Sequence, residues 1–271
     1  MTYTQGLALG LVQGLTEFLP VSSSAHLLLV PYLLGWPDQG LAVDAMLHGG
    51  TLIALIGYFR HDLRALLVQR CYRRVGFLVL VATIPAGLAA LIFEDLVSGH
   101  LRSPVVVAAW SAGAALAMGF ADRHVSRPGA DDISLEDVRW GQALGVGALQ
   151  ALAVIPGTSR SGIAITAGLL GGLDRATAAR FAFLLGIPIT AMAATFETGR
   201  AVRAGIAADE IGPLLAAFGA AAVSGWLAVR FLMDHLRRRS LMPFVVYRLA
   251  LAATILAVTG GCVRQPGTIP S

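Results

Sequence analysis

Two stretches carry most of the reactive chemistry of this chain. The first runs Gln13-Gly14-Leu15-Thr16-Glu17-Phe18-Leu19-Pro20-Val21-Ser22-Ser23-Ser24-Ala25-His26, and the second, 136 residues further on, Pro156-Gly157-Thr158-Ser159-Arg160-Ser161-Gly162. Gln13 and Glu17 stand four apart, so on a helix they share one face. A carboxylate in apolar surroundings needs a partner, and Glu17 is suited to hold a divalent cation or orient a hydroxyl; as a purely structural acceptor it would tie the helix end to loop N–H groups. Ser22, Ser23 and Ser24 supply hydroxyls where a second helix begins, a place where one serine commonly caps the free N–H groups, and three exceed that need. His26 follows Ser23 within a turn, which would let its ring reach that hydroxyl or a phosphoryl oxygen as general base or acid. In the second stretch Gly157 and Gly162 allow the backbone to approach a ligand, and Thr158, Ser159 and Ser161 add hydroxyls. Arg160 offers a planar fork matched to phosphate, at a helix N-terminus that already favours an anion. With no acid in its own loop, Arg160 either pairs with Glu17 across the molecule or awaits an anionic ligand. The chemistry pointed to is phosphoryl recognition and transfer. Neither the Gly-x4-Gly-Lys-Ser/Thr loop nor His/Cys metal spacing occurs, and the next His after Arg160 is His235, too distant for the other common lipid-phosphatase pattern.

The surroundings say where that chemistry takes place. The chain has 271 residues, 56% hydrophobic and 13% charged, with a mean hydropathy of +0.72. It reads as an integral membrane protein, since a soluble domain carries about twice that charged fraction. In hydrocarbon, a polar segment broken by Pro and Gly survives only where it lines a protein-enclosed or wet cavity. All 20 basic residues are Arg. No basic face interleaved with aromatics is visible, so the excess reads as topology and not as nucleic-acid binding. Cys71 and Cys262 have no metal-type spacing. The N-terminus lacks a positive n-region and a small-residue cleavage site, so it is expected to stay in the mature fold.

A single offset of 136 lays 8–30 on 144–166, 44–60 on 180–196, 77–97 on 213–233 and 105–123 on 241–259. Pro20 then meets Pro156, Ser22 meets Thr158, Ser23 meets Ser159 and Gly50 meets Gly186. The expected fold is all-α: one polytopic membrane domain over 1–271, built of two repeats, 1–136 and 137–271. Each repeat begins with a re-entrant helix–loop–helix whose two arms, about ten residues each, are too short to span, and continues with three transmembrane spans. An odd number of crossings inverts the second repeat, so the two tips are expected to meet near the centre. Loops 60–76, 123–140 and 230–240 hold Arg60, Arg64, Arg70, Arg73, Arg74, Arg123, Arg127, Arg139, Arg230, Arg237, Arg238 and Arg239, against Arg102, Arg200, Arg203 and Arg264 on the other side. The larger group is expected to be cytoplasmic, leaving both termini and the opening of the first hairpin outside, with Trp36 and Trp140 near interfaces.

At these residues the sequence resembles the undecaprenyl-diphosphate phosphatase family, also called the bacitracin-resistance family. The likeness rests on the Glu/Gln-x3-Glu-Phe-Leu-Pro-Val-Ser-Ser segment ending in His, on the Pro-Gly-x-Ser-Arg-Ser-Gly loop, and on Pro243-Phe244 with Tyr247-Arg248 near the end. It implies a bacterial inner-membrane enzyme that hydrolyses the C55 isoprenyl diphosphate to the monophosphate carrier for cell-wall synthesis. It further implies that Glu17, Ser23, His26 and Arg160 are the functional residues, that a divalent cation, Mg2+ or Ca2+, supports activity with Glu17 as its ligand, and that the site opens outward. Gln13, Ser22, Ser24, Gly157, Thr158, Ser159, Ser161 and Gly162 are the expected substrate contacts. Gln13 replaces the first acid of the family motif, and a hydroxyl position after the second loop is Ala164 here, with Thr166 nearby. The expected partners are the lipid substrate and the bilayer, with a homodimer allowed and no nucleic acid. The rival from another class is a transporter or flippase, since inverted repeats with broken helices also build transport sites.

Overall fold

The computed structural model describes residues 1–37, 40–93, 103–125 and 133–260. Among them regular structure is helical throughout, and the helices group into two hairpins and a set of long apolar rods. The first hairpin is α1 (Tyr3–Phe18) and α2 (Ser23–Leu34), followed by α3 (Leu41–Tyr58), α4 (Arg60–Val68), α5 (Arg70–Ile92) and α6 (Pro104–His124). The second hairpin is α7 (Trp140–Gln150) and α8 (Arg160–Leu170), followed by α9 (Arg175–Ala204), α10 (Ile211–Leu236) and α11 (Met242–Gly260). Five helices, α5, α6, α9, α10 and α11, are long and apolar enough to cross a bilayer, and α3 with α4 makes a sixth candidate bent by 68°.

Two details differ from the sequence reading. The arms of the first hairpin were expected to be about ten residues each, yet α1 has 16. Its start is fixed by a capping box in which Thr2 Oγ1 accepts from Gln5 N and Gln5 Oε1 accepts from Thr2 N. At about 24 Å it still falls short of the roughly 30 Å hydrocarbon core. Part of the expected loop 60–76 is helical too: α4, with no buried residue, follows α3 at the sharp bend.

Hairpin ends are located by their contacts. Met1 and Trp36 pack with Ile206 in one apolar cluster, so α1 starts and α2 ends beside the turn after α9. At the second hairpin Gln142 Nε2 donates to Gly171 O at 2.8 Å, so α7 starts and α8 ends together. That end lies near the start of α5, because Trp140 meets Phe77 edge-on. It is also the end where Arg175 bonds Asp122 and Arg180 bonds Asp62. The two hairpins therefore open at opposite ends of α9, whose 30 residues span about 45 Å.

The packing partners are reciprocal. α1 lies along α10 and α7 along α5, while α3 meets α9 and α6 meets α11. Close approach in both hairpins depends on glycine: a Cβ on Gly10 would stand 2.4 Å from Ala217 O, and one on Gly147 would stand 2.3 Å from Ala82 O. Arg102, Arg127, Arg264 and Cys262 lie outside the described residues.

Candidate active site

The hairpins meet tip to tip. α1 ends at Phe18 ahead of Pro20, and the chain turns through Ser22 at φ 72 before α2 begins. In the other tip Ser159 at φ 69 precedes α8. These are the non-glycine residues with positive φ among those described, a conformation that is uncommon for residues with a side chain. Both occupy the position just before a helix, so the matching residue of Ser22 is Ser159, one beyond the sequence offset, and Arg160 takes the place of Ser23.

Hydroxyls lock the tips together. Ser161 Oγ donates to Glu17 O at 3.1 Å and to Leu19 O at 3.4 Å, covering carbonyls left free at the end of α1. In return Gly157 N donates to Ser24 Oγ at 3.2 Å. Gly157 has φ +96, and a Cβ there would stand 2.3 Å from Val107 O, so only glycine fits.

Glu17 sits at the centre of the junction, 7% exposed. Its Oε1 receives Arg160 Nη2 at 2.5 Å, and its Oε2 receives Ser23 Oγ at 2.7 Å and Gln13 Nε2 at 3.1 Å. Arg160 thus takes the first of the two alternatives, the pair across the molecule. Arg160 and Ser23 stay partly open while Glu17 and Gln13 are covered, so the donors face the space a ligand would enter. Because Gln13 Nε2 must face the carboxylate, Oε1 points elsewhere and is buried without a partner. No cluster of three His, Cys, Asp or Glu able to cage a metal exists among the described residues. Glu17 and the orphaned Gln13 oxygen do fit a hard cation of the Mg2+ class, which commonly rests on one or two carboxylates and on substrate phosphates.

Of the two contacts expected of His26, the bond to the Ser23 hydroxyl is not made. His26 Nδ1 lies 2.7 Å from Ser22 O and its Nε2 lies 2.7 Å from Tyr247 Oη on α11. A carbonyl only accepts, so Nδ1 carries a proton and donates to Ser22 O. The proton partner of Ser23 is Glu17. Several expected substrate contacts also turn inward. Ser159 Oγ accepts from Gly162 N at 3.2 Å and shares a bond with Ser161, Ser22 Oγ bonds Ser24 Oγ, and Thr158 Oγ1 is buried without a partner. Ser159 thus caps α8, while Ser22 makes no side-chain cap on α2. Arg160 does stand at a helix N-terminus, as the sequence suggested, and the start of α2, which has no side-chain cap, is a second one at the same junction.

Two supporting residues carried no role in the sequence reading. Tyr247 engages His26, their rings parallel within 2° at 5.7 Å. Arg248 is fully buried and its Nη2 donates to Gly157 O at 2.8 Å and Thr158 O at 2.9 Å, holding the second tip from behind. A lone Arg in an apolar helix was the available signal.

Comparison with known proteins gives a consistent likeness. The family model described as bacitracin resistance protein BacA matches residues 6–254. Undecaprenyl-diphosphatase 2 of Stutzerimonas stutzeri is 44% identical over 96% of this chain and 100% of its own length. The undecaprenyl-diphosphatase of Thioalkalivibrio sulfidiphilus is 44% identical over 94% of this chain and 98% of its own. That of Geobacter metallireducens is 42% identical over 92% and 95%.

Proposed function

The chain belongs to the bacitracin resistance protein BacA family, and from that membership we infer that it hydrolyses undecaprenyl diphosphate to undecaprenyl phosphate and inorganic phosphate inside the membrane. This recycles the lipid carrier of cell-wall synthesis and underlies bacitracin resistance. The reaction is assigned to the tip junction, and the observation that carries the assignment is one carboxylate, Glu17, bonded at once to a hydroxyl, Ser23, and to a phosphate-binding group, Arg160.

The terminal phosphate takes Arg160 away from Glu17 and faces the uncapped start of α2, whose N–H groups and dipole favour negative charge. Glu17 Oε2 accepts the proton of Ser23 Oγ as that oxygen attacks the terminal phosphorus. The bridging P–O bond breaks and its electron pair leaves with undecaprenyl phosphate. That proton passes from Glu17 to the departing undecaprenyl phosphate, so the carboxylate can take a proton from the water that cleaves the phosphoserine and return it to Ser23 Oγ as inorganic phosphate departs. Phosphoryl transfer rests mainly on placement and charge stabilisation, which is what Arg160 and the helix end supply. A divalent cation held by Glu17 and Gln13 Oε1 would neutralise further charge on the diphosphate. His26, held between Ser22 O and Tyr247 Oη, fixes the first turn of α2 under Ser23.

The site opens toward the Met1 end, proposed to be the outer face of the inner membrane because the Arg-rich end lies opposite. The test is release of inorganic phosphate from undecaprenyl diphosphate by purified protein. Wild type is expected to release it, and Glu17→Ala and Arg160→Ala are expected to stop release while the protein still folds. Binding of the lipid without release would favour the transporter reading.

A further inference from the structure

The tip junction leaves a second charged pair inside the bundle unused. His48 on α3 places Nδ1 2.9 Å from Glu197 Oε2 on α9 and 3.0 Å from Asp44 O. An ionised carboxylate and a carbonyl both accept only, so Nδ1 is the donor to both and the ring orientation is fixed. Nε2 has no partner among the described hydrogen bonds, and both side chains keep 23% exposure. The helix that carries His48, α3, also packs against α1, which carries Glu17.

His48 stands seven residues from the start of α3 and Glu197 seven from the end of α9. Both are thus about 10 Å along their helices from the Met1 end, the end at which the first hairpin opens. Under the 136-residue shift His48 meets Leu184 and Glu197 meets His61. The pair is therefore absent from the other half of the repeat, as Glu17 is, and it sits on the entry side of the reacting centre. Ionisable side chains at such depth are costly and are kept for a ligand or a charge path.

Accepting the diphosphatase reading above, on which this rests, we propose that His48, oriented by Glu197, is a second anion-binding group of the site. As the imidazolium paired with Glu197, it donates through Nε2 to the phosphate that stays on the lipid. A diphosphate presents two phosphoryl groups, and Arg160 with the start of α2 accounts for the one transferred. The phosphate left behind lies on the lipid side of the broken bond, toward the opening where His48 stands. The subsite thus recognises an isoprenyl monophosphate, the product, independently of inorganic phosphate.

Inhibition by a short-chain isoprenyl monophosphate and by inorganic phosphate separates the two halves of the site. His48→Ala is expected to raise the KM for the isoprenyl diphosphate and the Ki for the monophosphate by ~10-fold or more, the loss expected for one charge-assisted hydrogen bond. The Ki for inorganic phosphate should stay within a factor of about two. His48→Gln, which keeps an N–H donor, should recover most of the affinity, and Glu197→Ala, which frees the ring, should resemble His48→Ala. An unchanged monophosphate Ki in a folded His48→Ala protein would overturn the proposal, as would an equal rise in both Ki values. If His48→Ala does not fold, the same readings on His48→Gln and Glu197→Ala decide: both indistinguishable from wild type overturns it. Wild type that releases no phosphate yet binds the monophosphate in a His48-dependent manner would remove the phosphatase reading and leave the subsite standing.

Discussion

Glu17 accepts three donors through two oxygens, and each donor gives it a different task. Glu17→Gln preserves shape but cannot take the Ser23 proton, so phosphate release is expected to fall ~100-fold or more with little change in melting temperature. Arg160→Lys keeps the charge and loses the fork, and a drop in rate exceeding tenfold is expected in the same assay, since a point charge cannot replace a bidentate contact on a planar anion. For His26 the informative variant is Tyr247→Phe. It leaves Nε2 without its hydroxyl, and a buried polar atom left unpaired costs ~1–3 kcal/mol. If that bond holds the first turn of α2 in place, kcat falls by about tenfold with KM near wild type; a KM effect alone would assign Tyr247 to lipid contact. The residue types of this junction were legible in the sequence, because a carboxylate and a guanidinium at breaks in apolar segments admit few uses. The partners were less so. His26 and Ser23 are three apart, yet the ring turns back to Ser22 O and across to Tyr247, 221 residues away, a contact no local spacing could reveal.

At the scale of elements, α1 depends on three glycines that let its backbone touch α10. Cβ atoms on Gly6, Gly10 and Gly14 would stand 2.5, 2.4 and 2.5 Å from the carbonyls of Pro213, Ala217 and Ala221. In a membrane such small-residue stripes hold helices together because packing substitutes for the missing hydrophobic drive between them. Gly10→Val should therefore push α1 off α10, carrying Glu17 with it. A lower melting temperature in detergent together with lost phosphate release is expected, whereas Gly57→Ala, where a Cβ would meet nothing within 4 Å, should leave both unchanged. Helix breaks at Pro20 and before Arg160 were visible as apolar runs interrupted by Pro, Gly and Ser, and the structure places a tip at each. Lengths were not visible, since the Thr2–Gln5 cap that starts α1 early is three residues long and resembles many surface turns. The register slip of one at the tips was hidden for a different reason. A repeat offset is set by long apolar segments, and it cannot sense the extra residue that lets Ser159 cap α8 while Ser22 leaves α2 uncapped.

For the molecule as a whole, each hairpin is too short to cross and must end inside the layer, and their meeting places polar groups where neither could be stable alone. The second hairpin supplies the hydroxyl that covers the end of α1, and the first supplies the one that holds Gly157. That mutual satisfaction helps to explain how two guanidinium groups, two carboxylates and two imidazoles lie among helices with such apolar exteriors. It also ties the proposed function to orientation, since the face at which the first hairpin opens is the one proposed for entry of the diphosphate head group. Among the described residues Arg60, Arg64, Arg70, Arg73, Arg74, Arg123, Arg139, Arg230, Arg237, Arg238 and Arg239 crowd the end opposite Met1, which retention of Arg would make cytoplasmic. Cys71, exposed at the start of α5 among those arginines, is a native reporter of this assignment. In a Cys262→Ser background it is the sole thiol of the chain. A membrane-impermeant maleimide added to intact spheroplasts should leave it unlabelled and should label it once the membrane is opened. Labelling from outside would turn the molecule over, place the mouth of the first hairpin in the cytoplasm, and move the lipid head groups it serves to the inner leaflet.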